Sequence, residues 1–456
     1  MSRRRILLAA AASGAAPLVA CATLPGDADM PPVVFVPGNG DTAGIWMTTI
    51  WRFESNGWPS NRLHAIDMPY PLARDDDSRE QPGRSSAAEN AAFLAAEVRK
   101  VLAATGARKV ALVGNSRGGY AIRNFIAEGG AASVSDVVLC GVPNHGVFVN
   151  REAALGSEFN GAGAMLSRLN APRGAEGNEV EPGIRWMTIR SDHEDKYAQP
   201  DGVWIGQRGK PTHVTYEGPA LRGAENIVIA GVDHRETAFS PKAFAEMYRF
   251  IAGRPPATLD IVPASPVILD GIVSGLGLGN TQGNFATNLP LVGATLEVYA
   301  TNPDTGERIG APRHRRTIGS DGHWGPFTAD GTTRYEFQIA APGYATTHIY
   351  HSPFPRSSDI VNMHPDRMTE ADRMAGALVI FNRSRGYFGV PRDHVVLDGK
   401  SPPEGIPTGV PGVSSAREKI ADAASRTVVG EFDGERIVGH TWPAAQDQLT
   451  VLDLTG

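Results

Sequence analysis

Between residues 32 and 254 the chain alternates short apolar runs with stretches in which apolar residues recur every three or four positions. The runs at 33–36, 63–66, 110–113, 137–140, 186–189 and 227–230 are rich in Val, Ile and Leu and lack polar alternation, as expected of strands covered on both faces. Between the second and third runs, Ser86-Ala87-Ala88-Glu89 has the spacing of a capping box and opens an Ala-rich helix ending near Ala104. A second amphipathic stretch, 120–126, is stopped by Gly129-Gly130, and 241–251 reads as the last helix of the block. Strands alternating with helices predict βαβ units and an α/β fold built on a doubly wound, mostly parallel sheet. After Gly253-Arg254-Pro255-Pro256 the helical period fades. Alternating runs at 295–300 and 335–339, with the turn Asn302-Pro303-Asp304-Thr305-Gly306 between them, predict all-β, sandwich-like C-terminal domains. The expected organisation is an α/β domain over 31–254, a β-sandwich over 257–370 and a second β-rich segment over 371–456.

With 456 residues the chain exceeds the size at which one hydrophobic core keeps growing, in keeping with that division. The formal charge of −6, which would become −9 on loss of Arg3, Arg4 and Arg5, gives no clustered positive field of the kind nucleic-acid binders use. Those arginines sit in a leader. Ser2-Arg3-Arg4-Arg5-Ile6-Leu7 resembles a twin-arginine export signal, and the Ala- and Leu-rich run to Ala20 is too short to span a bilayer. Leu18-Val19-Ala20-Cys21 resembles a lipobox, which makes residues 1–20 a lipoprotein signal peptide and Cys21 a lipid-modified N-terminus. The alternative is an ordinary signal cleaved near Ala22, with Cys21 incidental. Either way the expected location is outside the cytoplasm, in the periplasm or cell envelope, and lipidation would attach the protein to a membrane. The other cysteine, Cys140, lies in an apolar run and reads as a small buried hydrophobe.

Candidate chemistry begins where the third apolar run meets a turn. Gly114-Asn115-Ser116-Arg117-Gly118 is a Gly-x-Ser-x-Gly motif, a pattern that recurs by chance in a chain with 52 glycines. Its context is informative: an apolar strand precedes it and an amphipathic helix follows, the arrangement of a nucleophile elbow. A serine hydroxyl is a poor nucleophile until a base takes its proton, and the base needs an orienting carboxylate. In a doubly wound hydrolase scaffold the chain order is Ser, acid, His. His234, just past the last strand and before the final helix, has the position of the base. The acid should leave the preceding strand, where Asp192-His193-Glu194-Asp195 offers three carboxylates. Asp195 is preferred, Asp192 is the alternative and Glu194 the third choice. The spacing of this loop matches no well-defined calcium site, and neither metal nor organic cofactor is required. One oxyanion donor is expected from the amide after the nucleophile, Arg117.

The second donor should come from the loop after the first strand, Pro37-Gly38-Asn39-Gly40-Asp41. This run resembles the His-Gly-x-Gly loop of bacterial α/β-hydrolase lipases and esterases, with Pro37 in place of the usual His; the resemblance makes Asn39 the donor position. Asp195 resembles the acid of these enzymes, which a proline follows some residues later, here Pro200. Gly141-Val142-Pro143-Asn144-His145-Gly146 resembles their Gly-Thr-Pro-His-x-Gly stretch. The segment from Phe148 to Asn170 resembles their cap, placing a lid insertion at about 144–183. Trp46, Trp51, Phe53 and Trp58 are given to the core. Downstream, the run at 247–263 with Tyr335-Glu336-Phe337 and Tyr350-His351-Ser352-Pro353-Phe354 resembles a two-part lipase type, in which an α/β-hydrolase domain carries C-terminal β domains. Asp321-Gly322-His323-Trp324 resembles transthyretin-like modules of secreted enzymes. The resemblance implies an exported serine carboxylic ester hydrolase acting on hydrophobic acyl esters through an acyl-enzyme. The alternatives are a same-fold hydrolase of polyester, amide or phospholipid, and a non-catalytic envelope binding protein.

Overall fold

Alternate side chains of the strand Val33–Val36 (β1) part to opposite faces of the sheet: Val33 and Phe35 join one apolar cluster, Val34 and Val36 another. That period of two, with both faces buried, puts β1 inside a sheet. The computed structural model describes residues 30–202, 209–278 and 285–456; the leader and Cys21 lie outside them. After β1 come Met47–Ser55 (α1), Leu63–Ala65 (β2), Ala87–Thr105 (α2), Val110–Asn115 (β3), Arg117–Ala127 (α3), Val134–Cys140 (β4), Ala164–Leu169 (α4), Arg185–Ser191 (β5), Glu225–Ile229 (β6), Glu236–Phe239 (α5) and Pro241–Ala252 (α6). The six strands form one parallel sheet in the order β2-β1-β3-β4-β5-β6. Helices α2 and α3 cover one face; α1 and α6 cover the other. The fold is a parallel sheet with helices on both faces, followed by mostly antiparallel β structure.

Local chemistry explains several boundaries. At α2 the Ser86 Oγ accepts from Glu89 N at 3.1 Å while Glu89 Oε2 accepts from Ser86 N at 2.6 Å, closing the capping box. Helix α6 starts at Pro241 behind the Ser240 cap and ends at Gly253, whose φ of 69° a glycine adopts without strain. Trp46, Trp51, Phe53 and Trp58 are all buried, and Phe53 meets Trp58, Phe244 and Tyr248 with ring centroids 5.2 to 5.6 Å apart.

The β region contains Val267–Leu269 (β7), Ser274–Leu276 (β8), Ala286–Pro290 (β9), Thr295–Thr301 (β10), His314–Thr317 (β11), Phe327–Ala329 (β12), Arg334–Ala340 (β13) and Thr346–His351 (β14). After Glu370–Arg373 (α7) follow Ala377–Asn382 (β15), Val395–Leu397 (β16), Ser415–Ile420 (β17), Thr427–Phe432 (β18), Glu435–His440 (β19) and Gln448–Asp453 (β20). Seven of them form one sheet, β11-β10-β13-β14-β20-β15-β17. Strand β20 lies parallel between β14 and β15, so the boundary at residue 370 expected from sequence runs through a single sheet. Composition could not reveal this, because the β14–β20 pairing joins Thr346 to Gln448 across about a hundred residues. The core is also continuous between regions: Trp51 on α1 packs against Phe354, centroids 6.4 Å apart, and its indole nitrogen donates to Ser357 O at 2.8 Å. No described helix is long and apolar enough to cross a membrane.

Candidate active site

Strand β3 is buried throughout and delivers the chain into a turn at Ser116, with φ 49° and ψ −122°. A side-chain-bearing residue at positive φ is strained and persists only where its surroundings hold it. Here the holding is visible. Ser116 N donates to Cys140 O at 2.9 Å, and Asn115 Nδ2 donates to the same carbonyl at 3.0 Å, tying the turn to the end of β4. The flanking glycines are needed for close approach: a Cβ on Gly118 would lie 2.4 Å from Val36 O, and one on Gly114 would lie 2.6 Å from Ile122 Cδ1. Ser116 itself is 9% exposed.

The turn after β6 carries His234, 2% exposed. Its Nδ1 lies 2.9 Å and 3.0 Å from the two carboxylate oxygens of Asp195, and its Nε2 is buried with no hydrogen-bond partner among the described residues. Asp195 Oδ1 also accepts from Tyr197 N at 2.9 Å, and the Tyr197 ring meets the imidazole edge-on at 4.6 Å. Asp192 is engaged elsewhere, its carboxylate accepting from Gly231 N at 3.1 Å and Glu194 N at 3.2 Å, and Glu194 pairs with His193. Ser116 and His234 both lie at the end of β4: Cys140 O receives the Ser116 amide, and a Cβ on Gly141 would lie 3.4 Å from His234 Nδ1.

Arg117 opens α3, where the first amides of a helix have no intrahelical acceptor and carry the positive end of its dipole. The loop 37–41 lies against the elbow at Gly38, where a Cβ would sit 3.2 Å from Ser116 Cβ. Asn39 anchors that loop, its Oδ1 accepting from Ala73 N at 2.8 Å.

Sequence reading missed the ionic contacts around these residues. The Arg117 side chain is buried, pairs with Glu158 at 2.7 Å, and donates to Ser85 O at 2.6 Å and Pro71 O at 3.1 Å. Burial pushes the Glu158 carboxyl up, against the pull of Arg117. Glu158 lies in the segment expected to be the cap, whose α4 packs Leu166 and Leu169 on Tyr120 of α3. Asp41 in the loop after β1 pairs with Arg235, the residue after His234. Lys196, after Asp195, donates to Gly412 O at 2.8 Å; burial lowers its pKa to about 8. Each contact joins residues at least 32 positions apart, and only the charges flanking Ser116 and His234 hinted at them.

A cavity of about 400 Å³ borders Asp195, Tyr197, Gly141, Pro143 and Val214. A second, about 340 Å³, lies beneath Asp41 and Arg235 against Ile349, Ile380 and Val451 of the β region. Ser116 lines neither. Cys140 is a buried free thiol whose pKa burial raises. Among the described residues no group of three His, Cys, Asp or Glu side chains is arranged to hold a metal ion.

Residues 33–270 match the Alpha/beta hydrolase family, and residues 265–368 match the Lipase C-terminal domain. No curated protein matches the chain. Among solved structures, Aspergillus fumigatus lipase B is similar at 15% identity over 51% of this chain and 55% of its own, with a TM-score of 0.35. The lin2722 product of Listeria innocua is similar at 14% over 51% of this chain and 97% of its own, TM-score 0.34. Carboxylesterase CesB from Bacillus subtilis is similar at 14% over 49% and 85%, TM-score 0.27. The chain thus spans about half the length of the Aspergillus protein.

Proposed function

Because the chain belongs to the α/β-hydrolase family, as a hydrolase of lipase/esterase type with a lipase C-terminal domain, we propose that it hydrolyses carboxylic esters of hydrophobic acyl groups through Ser116, His234 and Asp195. The observation that carries this reading is the His234 imidazole, held by Asp195 at 2.9 and 3.0 Å through Nδ1 and left unpartnered at Nε2 among the described residues. Nδ1 donates to the carboxylate, which leaves Nε2 as the lone-pair nitrogen that takes a proton.

Ser116 Oγ attacks the ester carbonyl carbon as its proton passes to His234 Nε2. The carbonyl π pair moves onto oxygen, where the Arg117 and Asn39 amides hold the oxyanion. As the intermediate collapses, the carbon–oxygen bond to the alcohol breaks and His234 returns the proton to the leaving oxygen, giving an acyl-serine. Water then attacks the acyl carbon, again losing its proton to Nε2, and the bond to Ser116 breaks with that proton returning to the serine. Asp195 keeps the ring in its tautomer and stabilises the imidazolium formed in each step. The cap at 144–183 covers the hydrophobic acyl chain in this reading. Export with a lipid-modified Cys21 would put the enzyme in the cell envelope, attached to a membrane.

The test is Ser116→Ala, purified and assayed on p-nitrophenyl esters from acetyl to oleoyl, beside labelling with a fluorophosphonate probe. Wild type is expected to label once, at Ser116, and the variant to lose turnover by at least about 10³-fold. Full turnover in the variant, or no labelling of wild type, removes the mechanism.

A further inference from the structure

The turn that carries His234 is built around two carboxylates that take no part in the triad. Asp233 is fully buried; its Oδ1 accepts from Arg235 N at 2.7 Å and Glu236 N at 2.9 Å, while Glu236 Oε2 accepts from Asp233 N at 2.6 Å. These bonds close a small loop around His234, but both acids need countercharge, since ions taken out of water are costly unless paired. The countercharge comes from the far end of the chain. Arg383, next after β15 and 2% exposed, donates through Nη1 to Asp233 Oδ2 at 2.8 Å and through Nη2 to Glu236 Oε1 at 2.5 Å. The remaining Asp233 Oδ2 bond is to Tyr387 N, 2.8 Å, and Arg392 reaches Glu236 Oε2 at 2.8 Å. Burial raises the Asp233 carboxyl, but Arg383 and Arg392 outweigh it and hold the group below its ordinary value.

A guanidinium is a planar fork that bonds two acceptors in fixed directions, which an ammonium cannot do. Arg383 spans residues 233 and 236, which flank His234 along the chain, and its own plane is set by the Phe432 ring at 4.3 Å and by Tyr387 O at 2.6 Å. The same segment touches the other parts of the site. Tyr387 lies under Arg235, 4.6 Å, and under Lys196, 3.8 Å; Arg235 binds Asp41 of the loop after β1, and Lys196 follows Asp195.

We propose that Arg383 is a positioning residue for His234, clamping its turn from both sides through Asp233 and Glu236, so that the C-terminal β sheet completes the active site of the hydrolase domain. The inference rests on the assignment of His234 as general base. Arg383 touches no reacting atom; it acts by fixing where Nε2 stands, and a misplacement near 1 Å costs on the order of a hundredfold in rate.

The experiment uses the full chain and three variants: Arg383→Lys, Arg383→Met, and Arg383→Met combined with Asp233→Asn. Each is measured for thermal unfolding, for kcat and KM on p-nitrophenyl butyrate, and for the rate of fluorophosphonate labelling. The Lys and Met variants are expected to lose at least about tenfold in kcat with KM within about twofold, and to label at a correspondingly lower rate. In the paired variant the buried charge leaves with its partner, so the melting temperature returns toward wild type while kcat stays low, because the turn is still untied. A purely structural role predicts instead that kcat recovers with stability. That recovery, or wild-type kcat in a folded Arg383→Lys protein, overturns the proposal; should Arg383→Met not fold, the other two variants decide it. Failure of the underlying reading is distinguishable, since it shows as retained turnover in His234→Ala or Ser116→Ala whatever the Arg383 variants do.

Discussion

Ser116 illustrates how much a single position can require of its neighbours. Its positive φ is sustained by the glycines on either side, where even a methyl group would collide with Val36 O or Ile122. These demands are local, which is why the strand, turn and helix were legible at residues 110–126. His234 was legible for a similar reason: it stands just beyond β6, where the chain leaves the sheet at its carboxyl edge. The acid was harder, because Asp192 and Asp195 are three residues apart in one loop and no local pattern tells which carboxylate turns inward. Asp192 accepts from Gly231 N, whereas Asp195 meets the imidazole. Asp195→Asn is therefore expected to lower kcat by about 10³- to 10⁴-fold, since an amide no longer enforces the tautomer. Asp192→Asn should stay within about tenfold. The two are compared side by side on one ester, and a greater loss in Asp192→Asn reverses the assignment.

Among the elements, α3 both follows directly on Ser116 and holds the segment expected to be the cap. The Arg117 amide stands beside the elbow while the Arg117 side chain runs to Glu158, Ser85 and Pro71. The pair is 1 to 2% exposed, so losing one partner strands a charge in a dry site. Glu158→Ala is expected to cost about 3–5 kcal/mol of unfolding free energy, read from denaturant titration, and to lower kcat as α3 shifts. Glu158→Ala with Arg117→Met should recover much of the stability. The cap expected over 144–183 holds one short helix, α4, and extended chain closed by the bridge between Phe148 and Asn160. The route of the extended chain was not legible, because loops follow tertiary partners rather than a period.

For the whole molecule, the parallel insertion of β20 between β14 and β15 makes the last eighty residues inseparable from the strands before them. Truncation after residue 370 would remove β15, β17 and β20, leave β14 as a bare edge and take Arg383 from Asp233 and Glu236. The truncated chain is expected to lose both its cooperative thermal transition and its esterase turnover. Calorimetry and the p-nitrophenyl assay check this, and a folded, fully active fragment contradicts it. By itself the sequence determined the two architectures and the strand, turn and helix around Ser116, because alternation, helical spacing, capping residues and glycine turns are written over a few neighbouring positions. Only the tertiary structure decided which carboxylate meets His234, that the β segments on either side of residue 370 share one sheet, and that Arg383 pairs with Asp233 and Glu236 in the turn of His234. Those are pairings between residues 39 to 150 positions apart, with the β14–β20 contact near a hundred. Each is selected by packing and by the cost of leaving a buried charge or strand edge without a partner, and neither leaves a local period in the chain.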